Sequence, residues 1–170
     1  MIRTANLSHQ LNLKIVSGGQ TGADRAALDW AIANGLQHGG WCPQGRLAED
    51  GPIPHHYGLN ELRGAGYRAR TKANVRDSDG TLIVSLEPVL SGGSRQTAVF
   101  AKALGKPCLH VYPTADWQGA LQKWFASNLI TTLNVAGPRA SSAPAISDFV
   151  MKVMDALSSV CVCEPSRGAR

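Results

Sequence analysis

The chain has 170 residues, of which 44% are hydrophobic and 17% charged, so it has enough apolar material for one globular domain with its own core. Its formal net charge of +5 favours anionic partners. No apolar run approaches the roughly 18 residues of a membrane helix, and residues 1–10 lack the apolar core of a secretory signal. We therefore expect a cytoplasmic protein without a membrane partner.

The predicted elements alternate between strands and helices. Apolar, β-prone runs predict strands over 13–17, 37–42, 81–86, 107–111 and 131–135. Helical periodicity and capping signals predict helices over 22–34, 71–76, 95–104, 117–127 and 144–157. This alternation predicts an α/β fold, a Rossmann-like three-layer sandwich with a mainly parallel sheet of about five strands. We expect a single domain over 1–157, with a flexible lead-in over 1–11 and a loosely ordered tail over 158–170.

A glycine-rich loop joins the first predicted strand to the first predicted helix. It contains Gly18, Gly19, Gln20, Thr21 and Gly22. Thr21 is predicted to cap the helix, with Asp24 three residues later in the capping-box position. Free N–H groups at such a helix start suit an anion such as phosphate. The loop matches neither a Walker A sequence nor a G-x-G-x-x-G fingerprint, so a tight turn that binds nothing is the alternative.

A second loop of the same kind follows the third predicted strand. It contains Gly92, Gly93, Ser94 and Arg95, with Ser94 predicted to cap the next helix. Arg95 opposes the helix dipole unless an anion binds there. If the first and third strands are neighbours, as in a 2-1-3-4-5 order, the two loops face each other across a crevice at the carboxyl edge of the sheet.

The segment 43–57 is rich in glycine, proline and charge. A structureless segment of this length inside a compact domain is usually functional or disordered. We expect Arg46, and Arg76 further along the chain, to add positive charge to the crevice, while Glu49 and Asp50 supply carboxylates. Whether the segment closes over the crevice is left open.

Cysteine and histidine spacing predicts no metal site. The four cysteines, Cys42, Cys108, Cys161 and Cys163, are too scattered for a disulfide framework in a chain of this kind. The C-x-C pair at 161–163 and the adjacent histidines at 55–56 each lack a third ligand at a useful spacing.

Five motifs in order resemble the putative molybdenum carrier family, a branch of the Rossmann-like SLOG superfamily that also holds phosphoribohydrolases and DNA-processing protein A. The motifs lie at 17–29, 39–54, 74–84, 92–93 and 133–139, and the resemblance runs from about 14 to 157. It implies a ligand cleft at the two glycine loops, which would bind the molybdenum cofactor as cargo or a nucleotide-like molecule.

The related phosphoribohydrolases carry a catalytic glutamate just after their second glycine loop, where this chain has Ala98, Val99 and Phe100. General acid–base catalysis needs a positioned titratable group. We therefore expect a non-enzymatic binding or carrier protein for a phosphate-bearing small molecule, with no catalytic residue. The expected ligand-binding residues are Gly18, Gly19, Gln20, Thr21, Gly22, Arg46, Arg76, Gly92, Gly93, Ser94 and Arg95.

Three alternatives remain at this point. One is a nucleotide sensor, and another is a phosphoribohydrolase-like or ADP-ribose-type hydrolase that recruits Asp24, Glu49 or Asp50. The third is a single-stranded nucleic-acid binder, which is disfavoured because aromatic residues make up only 6% of the chain and stacking platforms need them. Proteins of this size and fold often pair through helix faces, so a homo-oligomer is also open.

Overall fold

A computed structural model describes residues 12–64 and 66–161. The elements in chain order are β1 (Lys14–Val16), α1 (Ala23–Ala33), β2 (Gln37–Gly39), β3 (Trp41–Pro43), β4 (Leu47–Ala48), β5 (Gly51–Pro52), β6 (Asn60–Leu62), α2 (Tyr67–Arg76), β7 (Gly80–Val84), α3 (Gly92–Ala103), β8 (Cys108–Val111), α4 (Trp117–Ala126), β9 (Thr132–Ala136) and α5 (Ile146–Cys161). Five of the strands form a parallel sheet in the order β2-β1-β9-β7-β8.

Helices cover both faces of this sheet. The connection from β1 to β2 and the connection from β7 to β8 proceed in opposite directions along the sheet. Right-handed crossovers therefore place α1 and α3 on opposite faces. Helices α4 and α5 pack in the layer of α1, while α2 packs beside α3. The predicted Rossmann-like α/β sandwich with a parallel five-stranded sheet is confirmed.

The main core lies between the sheet and the layer formed by α1, α4 and α5. Its fully buried side chains include Trp30, Leu121 and Leu157, one from each helix. The alanines of α1 allow close packing against α5, and the Trp30 indole N–H donates to Asp155 Oδ1 at 2.8 Å across that contact. The indole thus keeps a polar partner while its ring is buried.

The 2-1-3-4-5 strand order, under which the two glycine loops would face each other directly, does not occur. The last strand, β9, inserts between β1 and β7, so the first and third predicted strands are not neighbours. The position suits β9, because Leu133 and Val135 are both fully buried there. As a result, the loop after β9 lies between the two glycine loops.

Several element boundaries also differ from the predictions. Segment 43–57 is structured, with a short 3-10 turn over Gln44–Arg46 and the antiparallel hairpin β4–β5. The predicted second strand divides at Gly40 (φ 127°), where a Cβ would lie 2.2 Å from the carbonyl oxygen of Ser17. Helix α5 extends to Cys161, four residues into the predicted tail. The lead-in over 1–11 and the rest of that tail, 162–170, lie outside the described residues.

A Gly137→Ala substitution should test the close approach of the loop after β9 to its neighbours. A Cβ there would lie 2.3 Å from the Val84 carbonyl oxygen and 2.5 Å from the Ala23 Cβ. We expect the free energy of unfolding, measured by urea denaturation, to fall by about 1–3 kcal/mol because backbone atoms must move.

Gly93→Ala is the matched control, because a Cβ at Gly93 meets no atom within 4 Å in the part of the chain that the structure describes. Its unfolding free energy should stay within about 1 kcal/mol of the wild-type value. Equal stabilities of the two variants would contradict the close packing at Gly137.

Candidate ligand-binding cleft

A cleft of about 790 Å³ opens at the carboxyl edge of the sheet. It is bounded by the ends of β1, β7 and β9, by α2 from Tyr67 to Asn74 and by the first two turns of α3. Since the crossovers from β1 and β7 diverge, the cleft lies at the point where the strand order reverses, which is the usual ligand position in such sheets.

The cleft brings together five of the sequence-predicted residues. These are Gly18, Gln20, Gly92, Gly93 and Ser94. The other six, which are not among the residues that line it, are Gly19, Thr21, Gly22, Arg46, Arg76 and Arg95.

The first glycine loop uses several of its N–H groups within the protein. The Gln20 N–H donates to Asp24 Oδ2 at 3.2 Å, and the Thr21 N–H donates to Gln20 Oε1 at 3.0 Å. The predicted cap at Thr21 is wrong, since α1 begins after Gly22 without a side-chain cap. The Thr21 hydroxyl instead donates to Glu49 and accepts the Ala140 N–H at 3.1 Å.

The glycines of this loop are explained by close packing against the protein itself. Gly22 (φ 79°) lies where a Cβ would be 2.6 Å from the Pro138 carbonyl oxygen. Gly19 (φ 76°) faces the side chain of Leu59, which a Cβ would approach to 2.5 Å. Gly18 makes room for the guanidinium of Arg70, since a Cβ there would overlap Nη1 at 1.2 Å.

The turn of the β4–β5 hairpin binds the outer side of the first glycine loop and the first turn of α1. Arg25 makes a bidentate ion pair with Asp50, at 2.5 and 2.8 Å. Glu49 donates its N–H to Gln20 Oε1 at 3.0 Å and accepts the Ser141 hydroxyl at 2.5 Å. The hydroxyls of Ser141 and Thr21 hold the pKa of Glu49 below its usual value. None of residues 43–57 lines the cleft.

The second glycine loop, by contrast, faces open space. A Cβ at Gly92 or Gly93 would meet no atom of residues 12–64 and 66–161 within 4 Å. The first N–H groups of α3, at 92–94, have no intrahelical acceptor, and the first turn contains no acidic residue. The predicted cap at Ser94 is wrong, because α3 begins at Gly92 and Ser94 lies buried within its first turn. This end of α3 is the exposed positive end of a helix dipole.

Arg70 and Asp24 form an ion pair in the cleft that the sequence did not single out. Arg70 Nη1 lies 3.1 Å from Asp24 Oδ2, and both side chains are largely buried. Burial raises the pKa of the Asp24 carboxyl, and Arg70 opposes that effect. Arg70 Nε is buried without a hydrogen-bond partner among the described residues. The sequence has five Lys and Arg residues between 63 and 76, but their spacing does not say which arginine turns inward.

Arg46 has a structural position rather than one at the cleft. It is 7% exposed, and its guanidinium donates to the carbonyl oxygens of Ile53, Pro54, Tyr57 and Leu59 at 2.8–3.0 Å. This arginine therefore holds segment 53–59 in its folded path, which is why a stretch so rich in glycine and proline is ordered.

Arg76 and Arg95 lie on the outside of the α2–α3 layer. Arg76, at the end of α2, forms an exposed bidentate pair with Asp77 at 2.7 and 2.8 Å. Arg95 is exposed in the first turn of α3.

A serine–histidine contact lies at the cleft wall. Ser85 Oγ lies 2.6 Å from His110 Nε2 and 2.7 Å from the Glu87 carbonyl oxygen. A hydroxyl has one proton, so when Ser85 donates to Glu87 it accepts from His110. A general base needs the reverse direction. Burial lowers the pKa of His110, consistent with a neutral ring.

The model of the circularly permutated YpsA SLOG family matches residues 15–158. The chain belongs to this family. A crystal structure of a putative molybdenum carrier protein from Syntrophus aciditrophicus SB is 46% identical to this SLOG protein, with a TM-score of 0.81. The alignment covers 86% of this chain and 94% of that one. The resemblance expected from the motifs is confirmed.

Two further findings concern this SLOG protein. No curated protein matches it. None of the helices in residues 12–64 and 66–161 is long and apolar enough to cross a bilayer.

An Arg46→Lys substitution should destabilise the SLOG fold. A lysine cannot reach four carbonyl oxygens, so buried acceptors lose their donors and the free energy of unfolding should fall by about 2–3 kcal/mol. Urea denaturation measures this change. Arg95→Lys, at an exposed position, is the control and should stay within about 0.5 kcal/mol of wild type. Indistinguishable midpoints for the two variants would contradict a structural role of Arg46.

Proposed function

We propose that this protein binds a phosphate-bearing small molecule in the cleft and carries it without transforming it. The observation that supports this most strongly is the opening of the α3 amino terminus into the cleft, with unobstructed glycines at 92 and 93. Anions bind readily at such helix ends.

The charges that line the cleft support an anionic ligand. Arg68, Arg70 and Arg139 are its basic residues, and Asp24 and Glu87 are its acidic ones. Asp24 is already compensated by Arg70. We propose that the ligand's phosphate accepts hydrogen bonds from the α3 N–H groups and from the unpartnered Nε of Arg70. Gly18 contributes by leaving space for that guanidinium.

The size of the cleft and an aromatic side chain that lines it indicate the size and shape of the part of the ligand beyond its phosphate. Its volume of about 790 Å³ lies within the range of small-molecule sites. Tyr67, 48% exposed at the start of α2, offers a ring face for a planar group. We propose either a nucleotide-like ligand or the molybdenum cofactor, a phosphorylated pterin, as cargo. The name of the Syntrophus relative supports the cofactor.

The cofactor would not need a metal site in this protein, because its molybdenum is bound by its own dithiolene. Within residues 12–64 and 66–161, no three His, Cys, Asp or Glu side chains are grouped as metal ligands. We therefore propose that the protein recognises the phosphate and the pterin ring of the cofactor.

The ligand can be identified by native mass spectrometry of freshly purified protein, followed by denaturation and analysis of what is released. A phosphorylated pterin with molybdenum would support the cofactor, and a nucleotide would support the other ligand class. If nothing is released and neither AMP, GMP nor molybdenum cofactor binds in calorimetric titrations, the proposal is wrong.

Substitutions at Arg70 and Gly93 should weaken binding of the identified ligand. Arg70→Met removes the guanidinium, and Gly93→Asp places a negative charge in the first turn of α3. Each should raise Kd roughly 10- to 100-fold, as expected for lost hydrogen bonds to a charged group. Arg95→Met in α3 and Gly66→Asp at the residue before α2 change exposed positions. They are the controls and should leave Kd within about twofold. A uniform effect of all four substitutions would contradict this site.

Nucleotide hydrolysis is the second candidate, because Asp24 places a buried carboxylate at the cleft. Its contacts with Arg70 and the Gln20 N–H oppose a role as a proton-transfer group. Free base released from a panel of nucleoside monophosphates would favour hydrolysis. That activity should then be lost in Asp24→Asn and kept in Asp148→Asn, which changes an exposed carboxylate of α5.

A further inference from the structure

The positive charge of the chain is concentrated in one segment. Residues 63–106 contain eight Lys and Arg against three Asp and Glu, whereas the rest of the chain contains nine of each. The formal net charge of +5 therefore belongs to the segment that forms α2, β7 and α3.

The charge is also confined to one face of the sheet. Helices α2 and α3 together carry six basic residues and no acidic residue. On the opposite face, α1, α4 and α5 carry three basic and four acidic residues. The two helix layers thus differ in sign, and a polyanion is attracted to only one of them.

The exposed basic side chains form two rows. On α2, Arg68, Lys72 and Arg76 recur every four residues, which spaces them about 6 Å apart along the helix. On α3, which packs beside α2, Arg95 and Lys102 are exposed. Both helices begin at the cleft and end at the opposite edge of the sheet, so the two rows run side by side. We call these five residues the basic face.

Most of the basic face is not neutralised by the protein. Of its members, only Arg76 takes part in an ion pair among the described residues, with Asp77. The carboxylate of Asp79 is engaged elsewhere, by the N–H groups of Thr131 and Thr132 at 2.9 and 2.8 Å. The Arg68 guanidinium lies 5.7 Å from the centre of the Phe100 ring, which holds it across the two helices.

We propose that the basic face binds the phosphate backbone of a nucleic acid, at a site that borders the ligand cleft and shares only Arg68 with its lining. An acidic protein partner would need an aromatic or aliphatic anchor at the centre of its interface. The large apolar side chains exposed on α2, on α3 and at the end of α3 are Tyr67, which lines the cleft, Val99 and Leu104. Regularly spaced cations with only two aliphatic side chains beside them suit a phosphate backbone, which they bind without reading its sequence.

The test is fluorescence anisotropy with a labelled single-stranded DNA of about 20 nucleotides and its duplex, between about 50 and 200 mM KCl. We expect micromolar binding of either form at the lowest salt concentration, and a steep loss of affinity as salt rises. The double variant Lys72→Glu/Lys102→Glu should weaken binding at least about tenfold at about 50 mM KCl.

The matched control is Lys123→Glu/Lys152→Glu, which makes the same change in charge at exposed positions of α4 and α5. It should keep Kd within about threefold of wild type. Circular dichroism is used to check that both variants are folded. Arg70→Met should also leave DNA binding unchanged, which separates this site from the cleft.

Three results would overturn the proposal. One is the absence of DNA binding at about 50 mM KCl, and another is an equal loss in the two double variants. The third is tighter binding of poly-L-glutamate than of DNA through the same lysines, which would indicate an acidic protein partner instead.

Discussion

The position of β9 between β1 and β7 is the constraint on which the cleft depends. It brings the loop after β9 into contact with the first glycine loop. Gly22 allows a close approach to the backbone at Pro138, and Gly137 allows a close approach to the Val84 carbonyl and the Ala23 side chain. With β9 in place, the two glycine loops cannot meet directly, and the space above the sheet becomes a cleft with three strand ends as its floor. A bulkier residue at either glycine would push these loops apart.

The two glycine loops consequently have different structural roles, although their sequences are similar. Around the first loop, glycines are surrounded by Arg70, Leu59 and Pro138, and the loop's polar groups bind one another and the β4–β5 hairpin. Around the second loop, space is open and the helix end is uncapped by a side chain. Glycine permits both a tight internal contact and an approach by a ligand, and only the neighbours distinguish these uses.

The arginines show the same dependence on context. Arg46 is buried, donates to four carbonyl oxygens and stabilises a loop. Arg70 forms an ion pair with Asp24 at the cleft through one of its nitrogens. Arg68 lies against the Phe100 ring on the outer face. A guanidinium has five donors in a planar fork, so it can serve a fold as readily as a ligand. The burial of each group, rather than its charge, separates these roles.

Local sequence determined the alternation of strands and helices, the parallel sheet and the family, because hydrophobic periodicity and ordered motifs depend on neighbouring residues. It also predicted the position of Gly18, Gln20 and Gly92–Ser94 at the cleft, because they follow buried strands and therefore reach the carboxyl edge. Only the tertiary structure decided the place of β9, the inward turn of Arg70 and the single face shared by the basic residues. These features depend on contacts between residues far apart in the chain, such as Gly22 with Pro138 and Asp24 with Arg70, and no local pattern encodes such contacts.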